Sequence, residues 1–110
     1  MLQFAVLYNI LFCLDTIITT FSTIKDKRVN RANKHKLIDI IMIAFCAVSC
    51  VAKSWYEIED FGKSREAWLR RFLELPNGIP SHDTFGRTFA MLAPLVLEEK
   101  LMEWVQQVFV

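Results

Sequence analysis

The chain has 110 residues, 54% of them hydrophobic and 13% aromatic, with 13 Lys and Arg set against 12 Asp and Glu. That composition excludes a disordered polar tail and supplies apolar surface for at most one packed domain, while a net charge of +1 carries no bulk argument for nucleic acid. Three cysteines, Cys13, Cys46 and Cys50, are too few and too apolar in setting for a disulfide framework, and fit a reduced, cytoplasmic protein.

Residues 1–24 form an apolar N-terminal segment distinct from the rest of the chain. Leu2 to Leu14 are apolar except for Gln3 and Asn9, and Asp15 interrupts the run before Ile17-Ile18. A secretory leader would carry a basic start and a small-residue cleavage site, and neither is present. A membrane span needs about 20 apolar residues, and Asp15 falls inside the window of that length. Three readings stay open: a packed helix, a membrane-associating segment leading a small membrane-associated protein, or codons upstream of the true start.

Residues 25–110 read as one helical domain. It opens with Lys25, Lys27, Arg28, Arg31, Lys34 and Lys36 against Asp26 alone, a local charge of +5. Such a run is either a solvated loop or a phosphate-contacting arm, since clustered Lys and Arg release counterions on meeting a duplex. Leu37 to Ala52 then run without Pro or Gly and are apolar save for Asp39 and Ser49, which predicts a buried central helix closed by Lys53 at its negative end. Cys46 and Cys50 share a face of it. They read as core side chains, because no His or third Cys stands at metal-ligand spacing.

Ser54 and Glu57 have capping-box spacing, and the helix they start carries Trp55, Ile58 and Phe61 inward with Gly62 placed to end it. Glu57 and Asp60 share a face but read as a solvated acidic surface rather than a catalytic pair. A further helix from about Ser64 to Leu75 would bury Trp68, Leu69 and Phe72 and expose Arg65, Arg70 and Arg71. Pro76, Gly78 and Pro80 forbid helix, and Ser81 can cap the next one. There Phe85, Phe89 and Leu92 lie on one face, with Asp83, Thr84 and Arg87 away from it. The pair is helix-turn-helix-like, with a longer turn than that motif uses. Arg87 reads either as a guanine or phosphate contact or as a partner of Asp83, and His82 as a packed or capping residue or a DNA contact.

The run Asn77-Gly78-Ile79-Pro80-Ser81-His82-Asp83-Thr84-Phe85-Gly86-Arg87 resembles the N-terminal region of the H-repeat-associated transposases, DDE-type enzymes of bacterial insertion sequences. Other pieces match in order: Asp26 and Arg28, His35-Lys36-Leu37, Asp39-Ile40, Cys46-Ala47-Val48, Ser54-Trp55, Glu57 to Gly62, and Trp104. The resemblance covers about residues 21–107. Residues 1–20 fall outside it.

The last segment starts near Pro94, suited to a first helical turn, and places Leu97, Leu101, Trp104, Val105 and Val108 on one stripe before an apolar Phe109-Val110 end. The expected architecture is all-α, a small bundle of about five or six helices. The resemblance implies an accessory, DNA-end-binding domain of a transposase, truncated or a remnant. Catalytic acids and their divalent metal, Mg in all expectation, would belong to a ribonuclease-H-like α/β domain absent from these residues. On that reading the chain is no enzyme and has no cofactor of its own, no catalytic or metal-binding residue and no small-molecule substrate. Its partners would be transposon-end DNA, through Lys25, Lys27, Arg28, Arg31, Lys34, Lys36 and Arg87, and a second copy or the catalytic domain. The rival is a protein-interaction module that ignores DNA.

Overall fold

The computed structural model describes residues 15–25, 34–92 and 94–109. Helices make up all the regular structure among them: α1 over residues 15–21, α2 Leu37–Ser49, α3 Trp55–Ser64, α4 Glu66–Leu69, α5 His82–Met91 and α6 Pro94–Phe109. The all-α expectation therefore holds. The chain divides into two compact units, residues 26–93 and residues 1–25 with 94–110.

In the unit of residues 26–93, α2 is the core. Ile40, Ile41, Met42, Ile43 and Ala47 are buried, as an apolar helix without a polar stripe requires, and α2 packs against α3 and α5. The helix ends earlier than expected, at Ser49. Val51 takes a left-handed φ of +71°, the Ala52 N–H donates to the Ala47 carbonyl, and the Val51 N–H donates to that of Val48. This is a Schellman ending with a β-branched residue where glycine is favoured. It turns the chain out before Lys53, which therefore does not close the helix. It also leaves Cys50 exposed, contrary to the core reading, whereas Cys46 is buried. Cys13 lies outside the described residues.

Ser54 caps α3 as expected, accepting from the Glu57 N–H at 3.2 Å, while Glu57 reaches back one residue further to the Lys53 N–H at 2.6 Å. Ile58 is buried, but Trp55 stays at the surface, 40% exposed and stacked on Phe89 with ring centroids 5.5 Å apart. Gly62 does not terminate α3, which continues to Ser64. It is the site of closest approach: a Cβ there would stand 2.7 Å from Ile79 Cγ2.

The next helix is one turn long, Glu66–Leu69, rather than a helix from Ser64 to Leu75. Leu69 is fully buried, and Trp68 and Phe72 meet edge to face beside it, both half-buried. Residues 70–81 form the connection to α5, so the α4–α5 pair keeps the order of a helix-turn-helix with a far longer link than the usual three or four residues. Leu75 takes a φ of +45°, and the Gly78 N–H closes a turn on its carbonyl at 3.1 Å. Ser81 caps α5 from the Thr84 N–H at 3.3 Å, and Phe85, Thr88 and Leu92 face the core.

In the other unit, α1 buries Ile17, Thr20 and Phe21. The Trp104 Nε1–H of α6 donates to Thr16 Oγ1 at 3.0 Å, and the Thr20 hydroxyl lies 3.5 Å from Gln107 Oε1. Leu97, Trp104 and Val105 are half-buried, whereas Leu101, expected on the same stripe, is exposed together with Leu95 and Met102. The packed-helix reading thus holds for residues 15–21; the expectations for residues 1–14 and for the side chains of Val108 to Val110 lie outside the described residues. Among the described residues no helix is long and apolar enough to cross a membrane.

Two substitutions test this packing in opposite directions. Val51→Gly removes a left-handed penalty of about 1–2 kcal/mol at an exposed position, and should raise the stability read from urea unfolding by up to about 1 kcal/mol after the extra freedom of glycine in the unfolded chain. Gly62→Ala should lower it by about 1–3 kcal/mol by wedging α3 from Ile79.

Candidate nucleic-acid interface

The polar chemistry of the larger unit gathers at two places. The first is the start of α2. Asp39, in its first turn, is buried at 2% exposure and accepts the Leu75 N–H at 3.1 Å. Burial raises its pKa above the ordinary 3.8, against the opposing pull of that N–H and of Lys36. Beside it Lys36 Nζ lies 2.8 Å from Glu74 Oε1, and that bond holds the ammonium pKa up. Asn77 Nδ2 donates to the Lys34 carbonyl, and Arg70 Nη1 reaches the Glu74 carbonyl at 3.5 Å while Arg70 also pairs with Glu66.

The second place is the seam of α3 and α5. Glu59 Oε1 accepts the His82 N–H at 2.6 Å and lies 3.0 Å from its Nδ1, and Glu59 Oε2 holds Lys63 at 2.6 Å. Lys63 above all, then the His82 N–H and imidazole, bring the Glu59 pKa down to about 2. The imidazole stacks on Tyr56 with centroids 4.0 Å apart, and its Nε2 is 3.6 Å from Asp83 Oδ1. His82 is thus a packed residue that fastens the start of α5. The sequence offered no cue that Glu59 was its partner, since the two are 23 positions apart.

The residues expected to meet DNA divide accordingly. Lys25 is exposed, in the smaller unit; Lys34 and Lys36 are exposed at the start of α2; Lys27, Arg28 and Arg31 lie outside the described residues. Arg87 is exposed on α5, and its Nε lies 3.4 Å from the Asp83 carbonyl oxygen, a backbone contact in place of the carboxylate pair that is one of its two sequence readings. The basic residue the sequence did not join to Lys36 is Arg70, which reaches the carbonyl of the same Glu74 that pairs with Lys36; the exposed Arg71 follows it in the chain. No group of His, Cys, Asp and Glu among the described residues could hold a metal ion. Burial pushes the Cys46 thiol up to about 11, which fits a packing role.

A family model described as DDE_Tnp_1-associated matches residues 18–105. The chain belongs to that family. This DDE_Tnp_1-associated chain is 47% identical over 85 residues to an uncharacterized protein in the dhlA 3′ region of Xanthobacter autotrophicus, covering 76% of the chain and 29% of that protein. It is 37% identical over 84 residues to the H repeat-associated putative transposase YbfD of Escherichia coli K12, covering 76% and 33%. It is 45% identical over 53 residues to the inactive transposase YbfQ of the same strain, covering 48% and 63%. The chain therefore spans about a third or less of the first two relatives. No solved structure matches it.

The two carboxylates should behave oppositely. The folded pKa of Glu59 is depressed, so its contribution is present above its ordinary value of 4.5 and lost as pH falls towards about 2; Glu59→Gln should remove that part of the acid sensitivity seen by circular dichroism. The folded pKa of Asp39 is raised, so folding favours its neutral form and stability is lost as pH rises from the ordinary 3.8 through the folded value; Asp39→Asn should flatten that slope. Asp39→Ala, which strands the Leu75 N–H, should cost about 1–3 kcal/mol in urea titrations, and Asn less.

Proposed function

We propose that this chain is an accessory region of a DDE-type transposase, and that it serves DNA transposition by helping to hold the end of the element. The observation that carries the reading is the family match over residues 18–105, joined to relatives named as transposases over three quarters of the chain. Cutting and joining are assigned to the acidic, metal-binding catalytic domain that the resemblance implies for full-length relatives, and not to these residues.

The basic stretch Lys25 to Lys36 supports a phosphate contact, since each neutralised phosphate releases condensed counterions. Arg87 has the smaller share, because its guanidinium is tethered to the Asp83 carbonyl and two carboxylates, Asp83 and Glu59, stand at the start of its helix. A second reading, bracing of a catalytic domain or a second copy, is favoured by an exposed apolar corner. Val48, Val51 and Tyr56 are 58%, 70% and 65% exposed where α2 gives way to α3.

Fluorescence anisotropy with a labelled duplex separates the readings. DNA holding predicts weak binding that falls steeply between about 50 and 200 mM salt, and a loss of most of it when Lys27, Arg28 and Arg31 are neutralised together. Binding left intact by the triple change would remove the arm from the account. A chain that ignores duplex at about 50 mM salt but sediments as a dimer would support the bracing role instead.

A further inference from the structure

We propose that DNA backbone phosphates are contacted at the edge where the start of α2 meets the 70–77 connection, through Lys34, Lys36, Arg70 and Arg71. This rests on the DNA-holding reading above and names the surface that would carry it.

Two bonds join residues 34–36 to the connection, Asn77 Nδ2 on the Lys34 carbonyl and Lys36 Nζ on Glu74 at 2.8 Å, and within the connection Arg70 Nη1 reaches the Glu74 carbonyl at 3.5 Å. Lys36 and Arg70 thereby meet at Glu74 and the Lys34 backbone is held at Asn77, with Glu66 and Glu74 as surface counter-charges and Asp39 buried in the first turn of α2; Arg71 follows Arg70 on the same connection. Arg71 is exposed and makes no side-chain pairing with a described residue.

The pairs already present do not close the surface. Lys36 and Glu74 are 44% and 75% exposed in their side chains, and an exposed pair of this kind is held by little, so a phosphate can take the ammonium from Glu74. Arg70 and Glu66 are 44% and 40% exposed and exchange in the same way. The start of α2 adds its own field, because Lys36 at the cap position provides no side-chain hydrogen bond to the free N–H groups there.

The seam of α3 and α5 is the wrong sign for a duplex. Glu57, Asp60 and Asp83 are exposed on α3 and at the start of α5, with Glu59 between them. Lys63, the nearest cation on α3, is held by Glu59. A groove-reading docking of α5 would drive these carboxylates toward phosphates. At the α2 edge Glu74 and Glu66 are each matched by a cation, Lys36 and Arg70, and Lys34 and Arg71 are in excess of them.

The experiment uses the full chain and a labelled duplex, with binding measured by anisotropy across a salt series. Arg71→Ala, Lys36→Ala and the two combined are compared with Lys53→Ala, which removes an exposed cation beyond the other end of α2, about 20 Å away. Circular dichroism melting checks that each variant is folded. The expected result is that log K against log salt flattens by about 0.9 for each of Arg71 and Lys36 removed, and is unchanged by Lys53→Ala. Arg71→Gln serves as a second neutral variant should Arg71→Ala melt early. Salt-dependent binding that neither Arg71 nor Lys36 alters would overturn this surface and leave the DNA-holding reading standing. Equal losses from Lys53→Ala would overturn it as well, by showing that only net charge matters. No binding by the unaltered chain would sink both.

Discussion

The larger unit depends on one buried carboxylate. Asp39 sits in the first turn of a helix that is otherwise apolar, where a charge is costly to bury without partners. Its acceptor is used by the N–H of Leu75, a residue held at a φ of +45°. That single bond sets where residues 70–81 leave the core, and hence where Glu74 and Asn77 face Lys36 and Lys34. A central helix of hydrocarbon alone would bury as much surface, but would not fix the register of the connection that crosses its start.

The second constraint is the grip of Glu59 on α5. The carboxylate takes the backbone N–H of His82 at the helix start and the imidazole Nδ1 together, while Ser81 caps from the other side. Tyr56 lies flat on the imidazole, and Trp55 one residue earlier lies on Phe89 and against Gly86. Gly62 then allows Ile79 to close on α3 with no side chain between them. These contacts join α3 to α5 and to Ile79 near the far end of the connection, which Asp39 holds at Leu75, so the connection is pinned at two points despite its length.

What the sequence made legible was local. Ser54 and Ser81 announce their caps because the groups they bind are three residues on, and the apolar run from Leu37 announces a buried helix by period alone. The misreadings share a different cause. Gly62 reads as a stop because glycine often is one, but its role is a close approach to Ile79, far along the chain, which no local pattern encodes. Val51 hides a left-handed helix end because the residue that normally marks it is missing. Cys50 is turned outward by that same ending. Arg70 and Arg71 look like the outer face of a longer helix, but the chain leaves α4 after one turn, and Arg70 then shares Glu74 with Lys36. The family resemblance was legible because it needs only order and spacing; the candidate surface was not, because it is made by bonds 36 to 43 residues apart.

A net charge of +1 therefore says little about what such a chain can touch. Exposed carboxylates gather on α3 and at the start of α5, and exposed cations at the start of α2 and on the 70–77 connection. Charges segregated along the chain in this way give local fields that the same charges mixed evenly would cancel beyond a Debye length. The surface pairs Lys36–Glu74 and Arg70–Glu66 temper these fields, and each is an exposed pair held by little. On the proposed reading, such an arrangement would bias the orientation of a duplex and add a weak, salt-sensitive grip rather than supply affinity or sequence choice.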